Sequence, residues 1–155
     1  PNRFVDPRGG DTEVEIAAMS RGLAGRDAVL IFPEGGNVTA ERRRRAIERL
    51  LRRGHREEAA IAQGMRHLAA PRPGGALAAL EAAPDADVVF FAHYGFPRSM
   101  GQAWRELPQR TLIDVELWFV PRAEIPDTTD ARIDWLFAWW KRLDAWVAEL
   151  SSRAR

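Results

Sequence analysis

The chain has 155 residues, 46% of them hydrophobic and 29% charged, which suits the core of one ordinary domain but hardly two. Lys+Arg (23) and Asp+Glu (22) nearly cancel to a formal +1, excluding a strongly polyanionic or polycationic chain and the low-hydrophobicity signature of disorder. With no cysteine there is no disulfide framework, thiolate metal site or catalytic thiol, and three scattered histidines offer little to a metal.

No uninterrupted apolar run approaches the roughly 18–20 residues needed to span a bilayer. The first residues, Pro-Asn-Arg-Phe-Val-Asp-Pro-Arg, lack the charged start and apolar run of a targeting peptide and read like the inside of a domain. From there Asp11–Arg26 opens on cap-type residues and carries Val14, Ala17, Ala18 and Leu23 at helical spacing before Gly25, which predicts a helix. Asp27–Phe32 (DAVLIF) is a nearly continuous apolar run ended by Pro33, the pattern of a central parallel strand buried on both faces. Thr39 then stands in N-cap position before ERRRRAIERLLRR, whose Ala46, Ile47, Leu50 and Leu51 make one apolar stripe, and Gly54 supplies a stop.

His55–Gln63 continues with helix-forming residues. Pro71, Pro73, Gly74 and Gly75 predict a loop, and Ala76–Ala83 a return to helix. Asp87–His93 (DVVFFAH) predicts a second strand, and Gly95–Arg110 a loop with room for a short helical turn. Thr111–Val120 alternates Leu112, Asp114 and Glu116 against Ile113, Val115 and Leu117, as a partly exposed strand does. After Pro121 and Pro126, Asp130–Leu150 reads as a long closing helix with Ile133, Phe137, Trp140, Asp144 and Val147 on one side. Strands alternating with helices predict an α/β class, a layered sheet with flanking helices in one domain over 1–155.

The sharpest local feature is Phe32-Pro33-Glu34-Gly35-Gly36-Asn37-Val38-Thr39, where an apolar run stops at a proline, presents a carboxylate and continues through two glycines into a capped helix. Ligands collect beyond the carboxyl ends of strands, glycines admit a ligand to the backbone, and a helix start favours an anion. Glu34 would then accept hydrogen bonds from hydroxyl groups. The alternative is an exposed turn residue in an ordinary Pro-x-Gly-Gly loop.

Phe-Pro-Glu-Gly behind an apolar run resembles the third motif of the glycerophospholipid acyltransferases, the lysophosphatidic acid acyltransferases and their relatives. Phe4-Val5-Asp6-Pro7-Arg8 is similar to the family's second motif, with Pro7 intervening before Arg8. His67-Leu68-Ala69-Ala70-Pro71-Arg72-Pro73-Gly74-Gly75 resembles the Leu-x-Pro-Arg-x-x-Gly segment of the lysocardiolipin-type subgroup. Pro126, Trp135-Leu136 and Lys141-Arg142-Leu143-Asp144 are similar to that subgroup's closing pattern, so nearly the whole chain is covered.

The resemblance implies the C-terminal part of the glycerolipid acyltransferase fold. It implies transfer of a fatty acyl group from acyl-CoA or acyl carrier protein to the free hydroxyl of a lysophospholipid, a step of phospholipid biosynthesis. Arg8 would bind the acceptor's phosphate. Phe32, Pro33, Glu34, Gly35 and Gly36 would hold glycerol hydroxyl and phosphate oxygens, with Pro71 and Arg72 as the opposite wall. No metal or prosthetic group is needed, coenzyme A being a substrate. The place of work would be the cytoplasmic face of a membrane, peripheral or anchored by a segment not in this sequence.

The family's catalytic His-x-x-x-x-Asp motif, in which the histidine is the general base, does not occur here: five residues beyond His55, His67 and His93 stand Ala60, Arg72 and Arg98. The expectation is therefore a truncated domain, inactive alone, whose catalytic portion lies upstream. The histidines read as ordinary surface or strand-end residues, with His93-Tyr94 a candidate to line the cleft of Glu34.

Two further patterns stay open. Arg42, Arg43, Arg44, Arg45, Arg49, Arg52, Arg53 and Arg56 crowd one helix against Glu41 and Glu48. They make either a basic surface for anionic membrane or nucleic acid, or a solvated face paired at i,i+4. The first option would make the chain a non-catalytic binding module. Trp135, Trp139 and Trp146 fall about 100° from the apolar stripe of the last helix, suited to a membrane headgroup contact or to a helix buried over a wide arc.

Overall fold

The computed structural model describes residues 12–34, 38–96 and 112–153. They form α1 (Thr12–Ser20), α2 (Ala40–Arg52), α3 (Arg56–Gly64), α4 (Pro73–Ala82), β1 (Val88–Tyr94), β2 (Asp114–Val120), a 3-10 turn (Arg122–Glu124) and α5 (Thr129–Arg153). The class is α/β, with five helices and a two-stranded antiparallel sheet among the described residues.

Thr39 caps α2 as its sequence position predicts, its hydroxyl accepting from the Arg42 N–H at 3.2 Å. The helix stops at Gly54, whose φ of 83° lies in the left-handed region that glycine enters without steric cost. Ala46 and Leu50 are buried on one face, with Ile47 packed against the same core.

β1 pairs with β2 in the register Val88↔Val120, Phe90↔Trp118 and Ala92↔Glu116 on one face. Val89↔Phe119, Phe91↔Leu117 and His93↔Val115 share the other. The first face is covered by α5. Phe90 stacks on Trp139 with ring centres 4.4 Å apart and tilts against Trp135 at 5.2 Å, while Trp118 meets Trp146 edge-on at 5.7 Å. Arg142 lies over Trp139, 4.7 Å from the ring centre. The three tryptophans are thus an inner covering of the sheet, and the prospect of a headgroup contact through them is corrected to a helix buried over a wide arc. Phe137, wholly enclosed, and Leu136, Trp140 and Leu143 complete the core beside Ala59, Ala62 and Met65 of the α3 region. The other sheet face carries Val89, Phe91, Val115, Leu117 and Phe119, all exposed.

Four further expectations are corrected. Asp27–Phe32 is not a strand: Leu30 and Phe32 are each 71% exposed, and no described strand pairs with the run. Exposure alternates along it, with Val29 and Ile31 half-buried, so the apolar pattern is present while the ladder that makes a strand is not. Among the described residues the sheet is antiparallel and holds no central parallel strand. In β2 the regular apolar row Val115, Leu117 and Phe119 faces outward, and Trp118 and Val120 face the core.

Gly74 and Gly75 belong to α4, not to a loop, because Pro73 starts the helix and α1 packs against it. A Cβ on Gly75 would stand 2.8 Å from Ile16, and one on Gly74 would run into the Glu13 carboxylate. The first helix also ends at Ser20, whose hydroxyl donates to the Ile16 carbonyl at 2.9 Å, well before Gly25. The loop expected over Gly95–Arg110 lies largely outside the described residues.

Candidate functional site

The last helix works as a ruler for two loops. Trp140 and Asp144, one turn apart on α5, share a face and are both buried. Asp144 accepts three consecutive backbone N–H groups, from Arg66 (2.9 Å), His67 (2.6 Å) and Leu68 (2.7 Å). That carboxylate fixes the chain entering Ala69-Ala70-Pro71-Arg72, in which Ala69, Ala70 and Pro71 are buried. The next link runs to the glutamate loop: the Arg72 N–H donates to the Pro33 carbonyl at 2.9 Å.

Glu34 therefore sits between the two loops and the helix. Its carboxylate accepts from Trp140 Nε1 at 3.4 Å and from the Ala69 N–H. Burial raises its pKa above the ordinary value, outweighing these two hydrogen bonds, and the negative charge of Asp144 adds to the rise. A carboxylate has about four lone-pair positions, so acceptor capacity remains for a ligand hydroxyl.

Glu34 opens onto a pocket of about 270 Å³ lined also by Ala69, Ala70 and Arg72 and by Arg42, Arg45, Ala46 and Arg49 of α2. These four α2 positions recur at i, i+3, i+4 and i+7, one helical face. Their spacing was available in the sequence, but the crowd of neighbouring arginines hid which of them share a face. Glu41 pairs with Arg44 at 2.6 Å and with Arg45 at 2.7 Å, so part of the basic run, Arg45 of the pocket included, is neutralised within the helix. Arg49 is half-buried, and its pKa is lowered first by burial and then by the positive charges of Arg72, Arg53 and Arg52.

Of the residues singled out from sequence, the structure brings Glu34, Arg72 and the backbone of Pro33 together, with Pro71 buried beneath them. Phe32 is exposed and does not line the pocket. Arg8, Gly35 and Gly36 lie outside the described residues. His93 does not line the cleft of Glu34: it stands on the outer sheet face between Phe91 and Phe96, ring centres 5.9 and 4.7 Å away. His55 Nδ1 pairs with Glu58 at 3.1 Å, and His67 joins the network through its backbone. Among the described residues no histidine lines the pocket, and no helix is long and apolar enough to cross a membrane.

Comparison of the chain with protein-family models, with curated proteins and with solved structures finds no match.

Proposed function

We propose that this chain is the acceptor-binding part of a lysophospholipid acyltransferase, which moves an acyl group from acyl-CoA or acyl carrier protein to a lysophospholipid hydroxyl. One observation carries the reading: three of the four segments that resemble the family meet at one pocket or the loop beside it. Phe-Pro-Glu-Gly contributes Glu34, Pro-Arg-Pro-Gly-Gly contributes Arg72, and the Lys-Arg-Leu-Asp segment contributes the Asp144 that holds the loop before Arg72. In this reading Glu34 accepts from hydroxyl groups of the acceptor's glycerol, with its orientation set by Trp140 and Ala69. The general base is the histidine of a His-x-x-x-x-Asp motif upstream of Pro1, and the protein works peripherally at a membrane surface.

The test has two parts. The coding sequence upstream of Pro1 should contain His-x-x-x-x-Asp in frame. In the polypeptide that includes it, thioester release with lysophosphatidic acid should fall at least about tenfold in Glu34→Ala, the loss of one charge-assisted hydrogen bond. Glu57→Ala, on the exposed first turn of α3, should match the parent. Equal activity of the two variants would reduce the Glu34 loop to a turn.

A second reading, a non-catalytic module on anionic membrane or nucleic acid, draws on the exposed Arg52, Arg53 and Arg56. It requires binding to anionic vesicles or DNA that weakens steeply with salt, since the field of an exposed cluster decays within about 10 Å at 0.1 M ionic strength.

A further inference from the structure

Arg49 and Arg72 approach the same pocket from different elements, one on the buried side of α2 and the other at the end of the loop that Asp144 holds. Of the other arginines in and just after α2, Arg43, Arg44 and Arg45 are at least partly answered, and Arg52 and Arg53 are exposed away from the pocket. Arg44 and Arg45 pair with Glu41, and Arg43 donates to the Arg66 carbonyl at 3.2 Å. Among the described residues neither the Arg49 nor the Arg72 guanidinium has an ion pair or a hydrogen-bond partner. Glu34 lines the same pocket but makes no ion pair with either, its carboxylate accepting from Trp140 and Ala69. Of the four arginines that line this partly enclosed space, Arg49 and Arg72 thus face it without a counter-ion, and the charge of Arg72 is the largest electrostatic influence on Arg49.

We propose that the Arg49–Arg72 pair is a binding site for the dianionic phosphoryl group of a phosphate monoester, seated in the pocket between α2 and the 66–72 loop. Two planar forks present parallel N–H donors to several oxygens and supply two positive charges to a dianion. A carboxylate would satisfy one fork and leave the other uncompensated. The pocket is wider than a phosphoryl group, which leaves room for the first atoms of the esterified alcohol beside Ala69 and Ala70. The site is separate from Arg8, the phosphate ligand that the family resemblance implies, and it does not depend on acyl transfer taking place.

The experiment uses the 155-residue chain, titrated calorimetrically at low salt with glycerol 3-phosphate, inorganic phosphate and, as neutral comparator, glycerol. Saturable binding of the two phosphates and none of glycerol is expected. Arg49→Gln and Arg72→Gln should each weaken it at least about tenfold, the scale of a charge-assisted hydrogen bond. The double variant Arg52→Gln/Arg53→Gln removes two charges, one more than either single variant, from the end of α2 outside the pocket, and should change affinity by no more than about twofold.

Co-sedimentation with phosphatidylcholine vesicles containing phosphatidic acid separates the sources of the ligand. Vesicle binding displaced by glycerol 3-phosphate marks a lipid headgroup, whereas binding of the soluble phosphates without vesicle capture marks a free metabolite. Either result supports the site. No saturable phosphate binding, or an equal loss in the Arg52/Arg53 variant, overturns it. Arg72 is exposed with no side-chain partner among the described residues, so Arg72→Gln should keep the parent's circular dichroism and decides the matter even if Arg49→Gln perturbs folding. Failure here would leave the turnover effect of Glu34→Ala untouched.

Discussion

Glu34 and Asp144 are two carboxylates in one network with opposite surroundings. Asp144 is met by three backbone N–H groups, and Glu34 by one backbone donor and a long contact from Trp140. Asp144→Ala would leave those part-buried donors without their partner, at a cost of about 2–4 kcal/mol. Urea unfolding should show this as a lowered midpoint, with a smaller loss for Asp144→Asn, which keeps one acceptor. For Glu34 the raised pKa means that the folded state binds the proton more tightly than the unfolded chain. That stabilisation is complete below the unfolded carboxylate value and is lost as pH rises through the raised one. Glu34→Gln should therefore gain stability relative to the parent between about pH 4 and pH 7, and urea midpoints for both proteins across that range will check the sign. A midpoint difference that stays constant would show that Glu34 does not titrate in this window. The role of Glu34 as a ligand-facing group was legible from its place after Pro33, but the partners that hold it, Trp140 and Ala69, are 106 and 35 residues away by position, and no local pattern announces them.

At the scale of elements, α5 and the two sides of the sheet make the clearest contrast. Trp139 lies stacked between Phe90 and Arg142, so Trp139→Ala should cost about 3 kcal/mol, seen as a loss of thermal stability and not as a selective loss of vesicle binding. Phe137→Ala, at a fully enclosed position, should cost about 3–5 kcal/mol. On the uncovered sheet face Leu117→Thr should stay within about 0.5 kcal/mol of the parent, since the side chain is already in water. A large loss there would mean that this face is covered in solution. The helices were legible because capping by Thr39, the stop at Gly54 and the 3.6-residue stripe of α5 are local signals. The glycines of α4 misled, because glycine serves a close helix approach as well as a turn, and only the position of Glu13 and Ile16 on α1 distinguishes the two.

For the molecule as a whole, acyl transfer by these 155 residues alone should not exceed background in a thioester-release assay, since general base catalysis is worth about 10²–10⁴ in rate and no histidine among the described residues reaches the pocket. Turnover that depends on His55, His67 or His93 would refute the reading. The sequence alone determined the α/β class of the chain, the presence of its helices, the two strands that pair and the candidacy of Glu34 and Arg72, because composition, caps and apolar period act over a few neighbouring residues. It did not determine that Asp27–Phe32 lacks a ladder or that Val115, Leu117 and Phe119 face away from the core. Nor did it show that three arginines of α2 join Arg72 around one pocket. Each of these is decided by which distant segment lies alongside, and that depends on how α5, with Trp140 and Asp144, draws the loops together.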